Sequence, residues 1–119
     1  MSEGVKYDGE KPRMHLIPPL IEEDTARVLT FGAQKYSEDN WRKVPDLEDR
    51  YLSAALRHIN AIKKGEQFDE ESGRTHAAHA ICCLMFLGEI QLEELEKCPT
   101  MEEVIDPERY KIKFNIKSV

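Results

Sequence analysis

Apolar positions recur with helical spacing over three stretches of the chain. Ile17, Leu20, Ile21, Val28, Leu29 and Phe31 make the first, and Leu52, Ala55, Leu56, Ile59 and Ile62 make the second. The third, Ala77 to Leu87, is apolar on every side except at His79. Local signals bound these helices. Pro18-Pro19 opens the first, with Glu22, Glu23 and Asp24 where a helix N-terminus favours negative charge, and the segment Phe31 to Tyr36 ends it. Asp46, with Asp49 three residues on, is the expected cap of the second, and Lys64-Gly65 closes it. Thr75 caps the third. Further on, Thr100-Met101-Glu102-Glu103 forms a capping box that predicts a short fourth helix. Tyr110, Ile112, Phe114 and Ile116 then alternate with Lys111, Lys113, Asn115 and Lys117, which predicts a strand over 109–117. Residues 1–16 carry no helical period and read as an arm.

The expected fold is therefore mainly α. It is a small bundle of three main helices plus one short helix, with a C-terminal β-strand, in a single domain over residues 1–119. A lone strand needs a partner, either the arm or another subunit, and so short a bundle completes its burial by oligomerising, as a dimer or tetramer.

Charge changes the picture more than size does. The net charge of −6 leaves no basic stripe for a phosphate backbone, so a polymeric nucleic acid is excluded as main partner, while one small phosphorylated ligand is not. A metal ion can bridge acids to phosphates. The three cysteines, two of them adjacent, and the lack of a recognisable signal peptide point to a reduced, cytoplasmic chain. The longest nearly unbroken apolar run, Ala80 to Leu87, is too short to cross a bilayer.

Candidate chemistry concentrates between Arg57 and Cys83, which holds three of the four histidines and the acids Glu66, Asp69, Glu70 and Glu71. His76 and His79 are spaced i, i+3 on the third helix, with Cys83 one turn further, so zinc is one reading. Three ligands on one helix rarely close a tetrahedron, and there is no Cys-x-x-Cys, so Cys83 reads better as a core residue. His58 is either a boundary histidine bonded to a neighbouring helix or a site residue, and Arg57 by default is solvated. Glu22 and Glu23 are either helix N-terminal charges or metal ligands. Trp41, beside Asn40 and not far from Lys35, is either a rim anchor or a platform for a base whose edge Asn40 reads. Lys6, Lys11 and Arg13 of the arm either fray or fold over a ligand.

Taken in order, several blocks resemble one family. They are Lys6-Tyr7-Asp8-Gly9-Glu10-Lys11-Pro12-Arg13, Leu16-Ile17-Pro18, Phe31-Gly32-Ala33-Gln34-Lys35-Tyr36 with Asn40-Trp41, Ala54-Ala55-Leu56-Arg57-His58, and Asp69-Glu70-Glu71-Ser72-Gly73 with His76-Ala77-Ala78-His79-Ala80. Over roughly residues 5–90 they are similar to the phage-type dATP/dGTP diphosphohydrolase N-terminal domain family. The resemblance implies an all-α nucleotide pyrophosphohydrolase related to the MazG-like group, acting as a homo-oligomer and cleaving a nucleoside triphosphate between the α and β phosphates with a divalent metal. The group's Glu-Glu-x-x-Glu and Glu-x-x-Asp pair on two helices is missing here; Glu66-x-x-Asp69 has the second spacing but sits in a loop.

The resemblance also implies roles. Glu22, Glu23, Asp69 and Glu71 are the candidate ligands of Mg²⁺ or Mn²⁺, which favour oxygen. Glu71, His58, His76 and His79 are the candidates to orient the attacking water, and a protonated histidine can instead bind phosphate. Lys11, Arg13, Lys35, Tyr36, Asn40, Trp41 and Arg57 are the candidate contacts to the nucleotide, Arg57 and Lys35 as phosphate clamps. The expected reaction is hydrolysis of a purine (deoxy)nucleoside triphosphate to monophosphate and pyrophosphate. The alternatives are a non-catalytic phage protein that binds or sequesters a nucleotide on the same fold, and a plain helical interaction protein.

Overall fold

The computed structural model describes residues 3–97. Three α-helices account for most of them: α1 (Pro19–Lys35), α2 (Leu47–Lys63) and α3 (His76–Glu96). Short 3-10 turns precede α1 at Met14–Leu16 and α2 at Asn40–Lys43. The expected fourth helix and the 109–117 strand lie outside the described residues.

The helix boundaries follow from local chemistry. Pro18 stands at the N-cap of α1 and Pro19 begins the helix, where its missing N–H costs nothing. The Thr75 side chain accepts the Ala78 N–H at 3.1 Å and caps α3. At the end of α2 the chain reverses through Gly65, whose φ of +87° favours glycine. One expectation fails. Asp46 is at the N-cap of α2, but it adopts a left-handed backbone (φ 54°, ψ 42°) and its side chain caps nothing. An N-cap side chain reaches the first turn from extended backbone, which Asp46 lacks.

α3 is the central element and packs on both α1 and α2. Val28 of α1 meets Ala78 and Cys82 of α3, with Ile21 against them, and the Cys82 thiol donates to the Thr25 carbonyl at 3.5 Å. Of the apolar stripe of α2, only Ala55 is turned inward; its large aliphatic members are not. Ala55 and Ala61 are buried, and Tyr51, Ala54 and His58 are partly buried on the same side. Leu52, Leu56 and Ile59 stay 47%, 56% and 40% exposed. Small residues let α2 approach α3 closely, and the large aliphatic ones are left flanking the contact. The apolar run Ala77 to Leu87 of α3 is not buried all round, because Leu84 and Met85 face outward.

Candidate functional site

Three imidazoles and one carboxylate converge where α2, α3 and the loop between them meet. His58 comes from α2. His76, the first residue of α3, brings its Nδ1 to 2.9 Å from the His58 Nδ1. His79, one turn along α3, stacks on the His58 ring at 4.6 Å between centroids. Asp69 comes from the loop, its Oδ2 lying 3.5 Å from the His79 Nε2. The loop is not a plain charged linker. Phe68 and Thr75 form an antiparallel bridge, His76 N–H donates to the Gln67 carbonyl at 2.9 Å, and Gly73 turns at φ +70°. Inside that turn Asp69 Oδ2 accepts from the Ser72 N–H at 2.9 Å and from the Ser72 hydroxyl at 3.0 Å.

The protons of this network can be placed. Asp69 as a carboxylate can only accept, so the single hydroxyl proton of Ser72 goes to it. Ser72 Oγ then accepts from the Arg74 N–H at 3.2 Å and from His79 Nε2 at 2.6 Å. His79 therefore carries its proton on Nε2, and its Nδ1 keeps a lone pair. Burial holds the His58 pKa below its ordinary value, reinforced by His79 and His76. Burial also lowers His79, against the pull of Asp69. Burial opposes ionisation of Asp69, but the Ser72 N–H and O–H, with His79 and His58, outweigh it and lower its pKa. The result favours neutral His58 and His79 rings beside an ionised Asp69.

A second carboxylate fixes the start of α3. Asp24 Oδ2 accepts from the Thr75 N–H at 3.1 Å and hydroxyl at 2.7 Å, and Asp24 Oδ1 pairs with Arg74 at 3.2 Å. Asp24 thus ties α1 to the loop and holds His76 and His79 in register with α1. In the sequence Asp24 stands beside Glu22 and Glu23 as one more helix N-terminal acid, and only the distances single it out.

Next to the cluster lies a cavity of about 490 Å³ between α1, the Asn40–Lys43 turn, α2 and α3. Lys35, Tyr36, Asn40, Trp41, Arg57 and His79 all line it. Five of those six are the candidate nucleotide contacts of the sequence, brought together from three elements. The remaining two, Lys11 and Arg13, are exposed on the arm and do not line the cavity. Trp41 is engaged within the chain: its ring stacks on Phe86 at 4.4 Å, and the Arg42 guanidinium lies over it at 4.4 Å. Arg42 is itself held by both carboxylate oxygens of Glu93, at 3.0 and 2.8 Å.

The candidate metal ligands separate. Among the described residues, the ligand atoms that fall within 4.8 Å of one another belong to His58, Asp69 and His76. Glu22 and Glu23 are exposed, and Glu23 pairs with Arg27 one turn on at 2.7 Å. Glu71 forms an ion pair with Lys35. Cys83 is buried and its thiol pKa is raised, and burial pushes Cys82 up to about 12, so both are core thiols rather than thiolate ligands. Ser72 and Asp24 were not singled out by sequence reasoning. Their signals, a serine three residues after Asp69 and an acid facing a cap threonine, are common in any chain.

Comparison with known proteins bears on this geometry. The family model described as dATP/dGTP diphosphohydrolase, N-terminal, matches residues 1–98. A protein of Salmonella phage PMBT28 named dATP/dGTP diphosphohydrolase is 42% identical over 84 residues, covering 71% of this chain and 28% of its own length. The chain thus spans under a third of that relative. No solved structure matches. No described helix is long and apolar enough to cross a membrane. The matched region takes in all three helices, the cavity and the imidazole–carboxylate cluster, and the chain belongs to the dATP/dGTP diphosphohydrolase N-terminal family.

Proposed function

We propose that this chain binds a purine (deoxy)nucleoside triphosphate in the cavity and hydrolyses it, with a divalent metal, to the monophosphate and pyrophosphate. The observation that carries this reading is the shared wall: His79 lines the cavity that holds Lys35 and Arg57, and it also stacks on His58 in the imidazole–carboxylate cluster. Arg57 takes part in no ion pair among the described residues, so its guanidinium is available to the phosphates. Lys35 reaches them by exchanging Glu71 for phosphate. Because Phe86 and Arg42 hold the Trp41 ring, Trp41 serves as a fixed wall, and Tyr36, 64% exposed at the rim, takes the face of the base. Asn40 offers an amide to the base edge.

Attack of water on the α-phosphorus forms one P–O bond, breaks the bond to the β-phosphate oxygen and releases one proton. His79 Nδ1, with its lone pair, is the group to accept it, and Ser72 with Asp69 fixes that tautomer. His58, Asp69 and His76 would hold the cation, through two imidazole nitrogens and a carboxylate. Bound there, a divalent ion, Mn²⁺ rather than Mg²⁺ given the two nitrogen donors, would neutralise phosphate charge. The exposed stripe of α2 supports a homo-oligomer, in which Leu52, Leu56 and Ile59 find their partner in a second copy.

A second reading has its own support. The matched relative is far longer than the matched segment, so a non-catalytic nucleotide-binding role for this segment stands as the alternative. One experiment separates the two. Incubation with dATP or dGTP and Mn²⁺ should release pyrophosphate, and calorimetric binding with the nucleotide recovered intact would establish the binding module instead.

A further inference from the structure

The donor set of the imidazole–carboxylate cluster bears on which cation it would hold, an inference that rests on its reading as the cation centre. His58 comes from α2, Asp69 from the loop and His76 from the first position of α3, so three ligands approach from separate elements. This is unlike the His76, His79 and Cys83 set, which shares one helix. Two of the three donors are nitrogen. Mg²⁺ demands oxygen ligands and gives up its water reluctantly, whereas imidazole suits the later first-row ions. Two nitrogens at about 2.1 Å from one ion, and at right angles about it, lie about 3 Å apart. The Nδ1 atoms of His58 and His76 are 2.9 Å apart. On the far side of the His76 ring, Nε2 lies 4.0 Å from the Glu66 carboxylate, on the side where a ligating imidazole commonly meets an orienting carboxylate. His79 is engaged by Ser72 and is left to the cavity.

We propose that His58, Asp69 and His76 bind one divalent first-row transition-metal ion, of the series from Mn²⁺ to Zn²⁺, in preference to Mg²⁺. Three protein ligands leave positions for water or a phosphate oxygen, as an open metal site requires. Affinity should rise from Mn²⁺ to Co²⁺.

The test uses metal-free protein with no nucleotide present. Co²⁺ titration followed by visible absorption and calorimetry should show one ion per chain, and a large excess of Mg²⁺ should not displace it. Asp69→Asn and His58→Gln should each weaken Co²⁺ binding by about tenfold or more. Circular dichroism checks that both variants keep their helices, and a Co²⁺-dependent rise in Tm should appear in the parent chain and be reduced in both. No stoichiometric Co²⁺ binding, displacement by equimolar Mg²⁺, or unchanged affinity in both folded variants would overturn the proposal. Tight Co²⁺ binding without pyrophosphate release would leave it standing and remove the catalytic reading. Release supported by Mg²⁺ in a protein that binds no Co²⁺ would do the reverse.

Discussion

The Nδ1 atoms of His58 and His76 face each other at 2.9 Å across the contact of α2 and α3. At that separation one Nδ1 donates a hydrogen bond and the other accepts it, so only one of the two atoms carries a proton. Phenylalanine in place of His58 keeps a planar ring and removes both nitrogens. His58→Phe should retain the helical circular dichroism spectrum and lose about 10²-fold in pyrophosphate release. Unchanged turnover in the folded variant would remove His58 from the site.

Ser72 acts through its neighbours. Its hydroxyl fixes both the Asp69 carboxylate and the His79 tautomer. Ser72→Ala should lower kcat by about tenfold or more, leave KM close to the parent value, and cost about 1 kcal/mol of stability. Ser72→Thr should restore most of the loss, since it keeps the hydroxyl. A defect confined to KM would contradict the positioning role.

In the proposed reading Arg57 serves the phosphates rather than the cluster, since it lines the cavity. Arg57→Ala removes a charge-assisted contact of about 1.5–3 kcal/mol, which corresponds to a KM for triphosphate raised by about tenfold to a hundredfold. Arg57→Lys should recover part of that. The measurement is steady-state kinetics at two salt concentrations, with the smaller parent-to-variant difference at high salt.

Asp24 links stability to pH. The Thr75 side-chain hydrogen bond, with the Thr75 N–H, Arg74 and Arg27, outweighs burial and lowers its pKa below 3.8 in the folded chain. A lowered carboxyl pKa gives stability that is present above the unfolded value and is lost as pH falls through the folded one. Asp24→Asn should therefore be less stable than the parent at pH 7, by about 1–3 kcal/mol, with the difference shrinking below about pH 4. Denaturant melts at pH 7 and pH 3 measure it, and a difference independent of pH would show that the charge of Asp24 is not what matters.

The aliphatic flank of α2 predicts assembly. Leu52, Leu56 and Ile59 sit at i, i+4 and i+7 and are all substantially exposed. Light scattering should give a dimer or tetramer for the parent chain, and Leu56→Glu should shift it toward monomer. A monomeric parent would leave these side chains as solvent-facing.

Much of the architecture was legible along the chain. The apolar period and the punctuation at Pro18-Pro19, Gly65 and Thr75 are local properties, and local properties decide where a helix starts and stops. The candidate contacts Lys35, Tyr36, Asn40, Trp41 and Arg57 were also named from residue type and family blocks, and they do meet at one cavity. Asp46 shows the limit of such signals, since the residue type suits a cap and the backbone conformation prevents it.

The rest needed three dimensions. Periodicity marks Leu52, Leu56 and Ile59 as a stripe but does not say which face α3 will meet. The neighbouring face of Tyr51, Ala55, His58 and Ala61 goes inward because its small residues let the helices close. That choice turns His58 toward His76 and His79. It sets apart Asp69 from Glu22, Glu23 and Glu71, which carry the same charge but lie away from the imidazoles. Charge and residue type are properties of the chain, but a metal centre or a proton relay depends on separations of a few ångströms between residues distant in sequence. Those separations are set by how α2, α3 and the Asp69–Gly73 turn pack.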